Sequence, residues 1–392
     1  MPPSPLLRLA ANDEECMNAY TIGSPFFQID ENNLKEPKRI GIIFWLFYIM
    51  HKILILFVCS VMITTQALLA QTNSNDNDEY YTSFEEQITA RLYLAKKYTS
   101  LIMKAAPEIQ SLRYRPNSLT TMGINGSYKA LSLSFGSGFG FLNPNKEEKG
   151  KTRSFDFQSH FYTHDWVTDI YAQFYKGYYL SIGGPAGTAN KNYYKRPDIK
   201  VNLVGTSVYR LLNGDRFSYR AGFLQNEWQK KSAGSVLLGA EIYYGSVKGD
   251  SALIPSHLNS FYPQQGIHRV RLIELGPGAG YAYTAVWNEN LFLTGSATIN
   301  ADISMVKEVS AAGSANRTSV SPNATLRAVA GYNSEEWAAT ISWLHNATNA
   351  KGKSSNYEYG IKTGDFRITL AKRFTPGAKL KKKLDPVLQR MP

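Results

Sequence analysis

Along much of this chain, apolar and polar side chains alternate with a period of two. In the segment FRITLAKRF, Phe366, Ile368, Leu370 and Phe374 fall on one face of an extended strand, and Arg367, Thr369 and Arg373 on the other. Leu131, Leu133, Phe135, Phe139 and Phe141 alternate with serines and glycines. Phe155, Phe157 and Phe161 oppose Asp156, Gln158, His160 and Tyr162. The same rhythm sets Ile199, Val201 and Leu203 against Lys200 and Asn202, Val236, Leu238, Ala240 and Ile242 against Gly239 and Glu241, and Trp337, Ala339, Ile341 and Trp343 against Thr340 and Ser342. A strand of this kind has lipid on one side and water on the other. Many of them together predict an all-β fold, a transmembrane antiparallel β-barrel with its apolar faces outward.

Turn signals punctuate the strands. His164-Asp165, Asn213-Gly214-Asp215 and Asn288-Glu289-Asn290 are tight, and Asn-Gly is the strongest local hairpin signal. The polar stretches 143–153, 183–197 and 252–266 read as long loops on the opposite rim. Short turns inside and long loops outside is the outer-membrane arrangement, and it predicts about 12 strands. The parity is imperfect: two turns fall between Asn213 and Asn288, near Lys231 and near 250–265, where an odd number is needed. Either Gly276-Pro277-Gly278 splits a strand or one tight turn lies on the outer rim. Before the barrel, Ile88, Leu92, Tyr93, Ala95, Leu101 and Ile102 recur near helical spacing and Pro107 follows, which predicts a short N-terminal periplasmic helix within 71–110 and a barrel over 111–374.

Composition adds the compartment. The mean hydropathy of −0.29 is uninformative for a barrel, because inward polar and outward apolar residues average out. Only the region 40–70 is apolar enough for a helical span. Met50-His51-Lys52, the apolar Ile53–Met62 and the small residues ending at Ala70 read as a secretory signal peptide over 50–70. Residues 1–49 then read as an extension from a start codon placed too early, with Met50 the initiator. The alternative, an uncleaved anchor joining Ile40–Tyr48 to the following stretch, puts His51 and Lys52 in mid-membrane, where charge is costly. Cys16 and Cys59 both precede Ala70, so the processed chain carries no thiol, as suits an oxidising compartment.

The net charge is +12, but no basic helix or aromatic-basic strand motif presents it to nucleic acid. Part of it sits in the basic tail at 375–392, expected on the periplasmic side. The expected partners are outer-membrane lipids and lipopolysaccharide, the barrel-assembly machinery and a small solute. Asp156, Lys200, Glu241, Arg271, Glu274 and Arg367 are the candidate lumen charges. No His, Cys and carboxylate cluster has metal-ligand spacing, and the glycines at 136, 138 and 140 or at 276, 278 and 280 precede no helix that could hold a phosphate, so no metal or cofactor is expected. Ser256-His257, with His160, His164, His268 and His345, is raw material for a lipid hydrolase, but neighbours in sequence do not by themselves make a catalytic geometry.

Tyr114-Arg115-Pro116-Asn117, Phe217-Ser218-Tyr219-Arg220-Ala221 and Gln229–Ser235 resemble a family of Bacteroidota outer-membrane barrels known only as a domain of unknown function, the DUF4421 type. The resemblance covers about 80–374 and implies a bacterial outer-membrane location without a catalytic assignment. The sequence thus predicts an outer-membrane barrel of unspecified activity. Passage of small solutes is the first specific expectation, lipid hydrolysis the second, and a structural or adhesive surface barrel the third.

Overall fold

The computed structural model describes residues 79–128, 131–143, 148–182, 193–378 and 380. The expected extension, the signal peptide and most of the basic tail lie outside them. Fifteen strands follow in order: β1 (Tyr81–Ser83), β2 (Ile88–Met103), β3 (Leu112–Arg115), β4 (Thr120–Tyr128), β5 (Leu131–Ser137), β6 (Arg153–Tyr162), β7 (Trp166–Ile182), β8 (Lys195–Leu211), β9 (Glu227–Gln229), β10 (Ala233–Lys248), β11 (Ile267–Trp287), β12 (Leu291–Ser310), β13 (Gly313–Asn333), β14 (Trp337–Lys351) and β15 (Glu358–Phe374). One short helix, α1 (Tyr219–Phe223), stands between β8 and β9.

Ten of these strands close a ring, in the order β2, β3, β7, β8, β10, β11, β12, β13, β14, β15 and back to β2. All the pairings are antiparallel, and the ring closes between β2 and β7 through the short β3. Phe374 pairs with Ile88 where the two ends of the ring meet; that rim is called lower here. In the lower half, β4 replaces β3 beside β2, β5 adds to β4, and β6 adds to β7. No ladder joins β5 to β6 among the described residues. Counting β3 with β4 as one interrupted strand, the wall has ten strands at its upper rim and the expected twelve lower down.

The expected periplasmic helix is a correction: Ile88–Met103 is a wall strand, paired along its full length with β15. Its sequence fits both periods, with Thr89, Tyr93, Ala95, Thr99, Leu101 and Met103 inward and Leu92, Leu94 and Ile102 outward. The tertiary demand decides, because without β2 the hydrogen-bonding groups of β15 would face lipid unpaired. The parity problem also resolves. Asn213-Gly214 and Lys231 belong to one long lower connection, 212–232, and β11 runs unbroken through Gly276-Pro277-Gly278. Asn288 and Glu289, with φ of +48° and +61°, supply the two left-handed positions of a tight lower turn.

Outside, large apolar side chains such as Leu238, Leu275, Leu293, Ile299, Val320, Ile341 and Ile368 are exposed all round the ring. Such a continuous apolar exterior is stable only in lipid. Below the band, Trp287, Tyr332 and Trp337 point outward, and the Lys372 ammonium sits 4.7 Å from the Trp337 ring centroid, an aromatic and basic girdle at headgroup depth. The chain is an outer-membrane-type β-barrel.

A candidate functional site in the barrel interior

The interior is filled in three layers. Uppermost is an apolar core in which Leu101, Met103, Leu112, Ile199, Val201, Leu203, Val270, Leu272 and Ile361 come from the wall. Leu253, Ile254, Leu258 and Tyr262 come from the upper connection 249–266, which turns into the barrel. The tyrosines pin this cap: Tyr114 donates to the Leu253 carbonyl at 2.9 Å and Tyr262 to the Gln110 carbonyl at 2.7 Å.

The lowest layer is a plug made by the connection 212–232. Ser218 caps α1 by accepting from the Ala221 amide at 2.8 Å, and Phe217 and Tyr219 pack on Tyr162, Val167, Leu211 and Leu237. β9 of the plug pairs with β1, so the segment before β2 helps to hold it. Two arginines tie the plug to the wall. Arg91 reaches the Leu224 carbonyl at 2.8 Å, and Arg373 reaches the Gln225 carbonyl and Asn333 Oδ1, both at 2.7 Å.

Between these layers lies a polar belt. Asp169 on β7 pairs with Arg327 on β13 from across the barrel. It also meets His160 Nδ1 at 2.6 Å and accepts from the Tyr162 hydroxyl at 2.9 Å, and Arg327 donates to that same hydroxyl at 2.7 Å. Beside it, Asn323 Nδ2 bridges Glu274 Oε2 at 2.8 Å and Asp302 Oδ2 at 2.6 Å. Both carboxylate oxygens of Glu241 are buried without a donor among the described residues. Gly276, in register with Glu241, leaves the space that the Asp302 carboxylate occupies; a Cβ there would lie 2.4 Å from Asp302 Oδ1. No group of three or more His, Cys, Asp and Glu among the described residues is placed to hold a metal ion.

Four of the six candidate lumen charges point inward. Asp156 meets Lys97 at 2.9 Å and accepts from the Tyr175 hydroxyl at 2.6 Å. Glu241 and Glu274 stand in the belt, and Arg367 pairs with Asp365 at 2.9 Å with its guanidinium 5.0 Å from the Tyr93 ring centroid. Lys200 and Arg271 are corrections. Their neighbours Ile199, Val201, Val270 and Leu272 are buried in the upper core, so the two cations stand outside. The physical reason is local: where the barrel is filled by a core, the apolar face of a strand turns in, and the rule of apolar outward inverts. Asp169, Arg327, Asp302, Asn323, Arg91 and Arg373 also stand inside and were not among the six. A signal for part of this set exists in β12, where Thr294, Ser296, Thr298, Asn300, Asp302 and Ser304 occupy successive alternate positions.

The histidines do not assemble. His257 lies edge-on to Tyr194 in the upper connection, and His345 faces outward, stacked on Trp343 and 2.9 Å from the Tyr98 hydroxyl. His164 binds Asp165 at the lower turn, and His160 is part of the belt. Ser256 and His257 share a single-turn helix, and among the described residues no carboxylate pairs with either.

Residues 74–374 match the model of a family described as a domain of unknown function, DUF4421; the chain belongs to that family. No curated protein matches it. Among solved structures it is similar to the outer membrane protease OmpT from Escherichia coli, at 10% identity and a TM-score of 0.34 over 75% of this chain and 98% of that one. It is also similar to the translocator domain of the autotransporter NalP from Neisseria meningitidis, at 9% identity and a TM-score of 0.26 over 81% and 97%. A third is the Pseudomonas putida toluene transporter TodX, at 9% identity and a TM-score of 0.22 over 74% and 91%. Likenesses this distant leave the activity of this chain to its own residues.

Proposed function

We propose that this member of the family is a non-conducting barrel that works through its outer surface, the structural or surface role among the three expected. In this reading it is exported by the signal peptide at 50–70 and resides in the outer membrane of one of the Bacteroidota. One observation carries the proposal: the upper core packs wall residues from β2, β3, β8, β11 and β15 against Leu253, Ile254 and Leu258. A barrel of this size has an interior that side chains can fill. Passage of a solute along the axis requires that core and the plug to move aside together, and lipid hydrolysis requires a nucleophile and base that the described residues do not bring together.

The test is electrical. Purified barrel inserted into planar bilayers, with insertion verified by a fluorescent label, is expected to leave the membrane at baseline conductance at moderate voltages of both signs. Reproducible current steps from the wild-type chain sink the proposal and reinstate the channel reading.

A further inference from the structure

The two cations that stand outside belong to a larger pattern. Arg153 on β6 is in register with Lys176 on β7, Lys176 with Lys200 on β8, Lys200 with Lys248 on β10, and Lys248 with Arg269 on β11. Five basic residues on five successive strands therefore lie side by side on the outer wall. At about 5 Å per strand the row is about 20 Å long. Arg271 and Lys307 form a further basic pair, across β11 and β12. No ion pair is recorded for any of the five among the described residues. Like charges directly opposite each other in a sheet destabilise it, and here four such contacts occur in sequence.

The row has a fixed depth. It lies towards the upper rim, away from the end where the ring closes. In the next outward row Phe155 and Phe174 lie side by side with ring centroids 6.1 Å apart, continued by the polar Asn202, Ser246 and Arg271, and one row further down Phe157, Val204, Tyr244 and Ile273 are apolar. A shallow depression in the wall is lined by Arg153, Phe155, Phe174, Lys176, Lys200 and Asn202. Cations above and aromatic rings below match an amphiphile with anionic groups over acyl chains. The tight turns 163–165, 288–290 and 334–336 lie on the lower rim and the long connection 249–266 on the upper, so the upper side is the one set against the outer leaflet.

We propose that the row Arg153–Lys176–Lys200–Lys248–Arg269 binds the phosphate groups of outer-leaflet lipopolysaccharide, with the acyl chains lying on the Phe155–Phe174 face. This rests on the surface role above and supplies its partner. Each basic residue near an anionic lipid surface adds a several-fold gain in affinity, so the row is a composite site in which removal of two members is measurable.

The experiment uses the processed barrel in nanodiscs of zwitterionic lipid, titrated with purified lipopolysaccharide and with the same glycolipid after enzymatic dephosphorylation. Wild type is expected to bind the phosphorylated form at least tenfold more tightly. Lys176→Glu with Lys200→Glu is expected to lose tenfold or more, Lys176→Gln with Lys200→Gln somewhat less, and Lys372→Glu at the lower girdle to bind as wild type does. The glutamine pair keeps the test decisive if the charge reversal prevents folding. Equal binding of both glycolipids overturns the proposal, as does full binding by the glutamine pair or equally tight binding of a soluble polyphosphate. Conductance of the same preparation is read separately, so a conducting barrel that still binds phosphorylated glycolipid refutes the surface role and not the site.

Discussion

Arg327→Ala is expected to lower the unfolding free energy of the barrel by about 3–5 kcal/mol, the cost of leaving a buried ion-pair partner uncompensated. Asp169 is fully buried; it would retain His160 and Tyr162 but lose the guanidinium that pairs with its carboxylate. Tyr162 would also lose the donor that orients its hydroxyl. Adding Asp169→Ala removes the stranded charge, so the double variant is expected to be less destabilised than the sum of the singles. Urea unfolding in detergent, followed by the mobility difference between folded and unfolded barrel on unheated gels, measures both. A single variant within about 0.5 kcal/mol of wild type, the range of ordinary surface substitutions, would show that Arg327 and Asp169 do not meet inside the wall.

The second large effect lies on β8. Val201→Asp puts a carboxylate into the apolar upper core that also holds Leu203, Leu253 and Leu272. Transfer of an unpaired charge into an apolar interior costs several kcal/mol, so this variant is expected to fail to refold or to unfold at much lower urea. Lys200→Ser, one residue away, is expected to stay within about 0.5 kcal/mol of wild type, because it changes an exposed side chain. Two adjacent positions thus carry opposite predictions. Equal effects, or a larger effect at Lys200, would mean that β8 is turned the other way.

Much of the wall could be read from the sequence, because in mid-barrel the period of two has one cause only, lipid outside and polar lumen inside. The alternations of Phe155–Tyr162, Val236–Ile242, Trp337–Trp343 and Phe366–Phe374 reappear with the expected faces. Three features were not legible, each for a physical reason. Ile88–Met103 satisfies both a helical and a strand period, and only the need of β15 for a partner settles it. At Ile199–Leu203 the interior is as apolar as the membrane, so the alternation is real and its sense is undetermined by pattern alone. In the sequence the plug at 212–232 reads as two separate turns, because its burial depends on Arg91 and Arg373, which lie more than a hundred residues away. For the site, the pattern exposed individual inward charges such as Asp156 and Glu241. It did not reveal which of them meet, since the contact of Asp169 with Arg327 spans 158 positions and depends on the curvature of the closed ring.

All of this depends on a lumen filled by its own side chains. With Cys16 and Cys59 replaced by Ser, a single introduced cysteine is the only thiol present. The decisive measurement is the reaction of Lys200→Cys, Val201→Cys, Asn202→Cys and Leu203→Cys with a small water-soluble maleimide and with a lipid-soluble one, in folded barrel in nanodiscs. Positions 200 and 202 are expected to react with one or both reagents, and positions 201 and 203 with neither until the barrel is unfolded. Ready modification of 201 and 203 by the water-soluble reagent in the folded state would contradict the filled interior, because it would place water where the core is described.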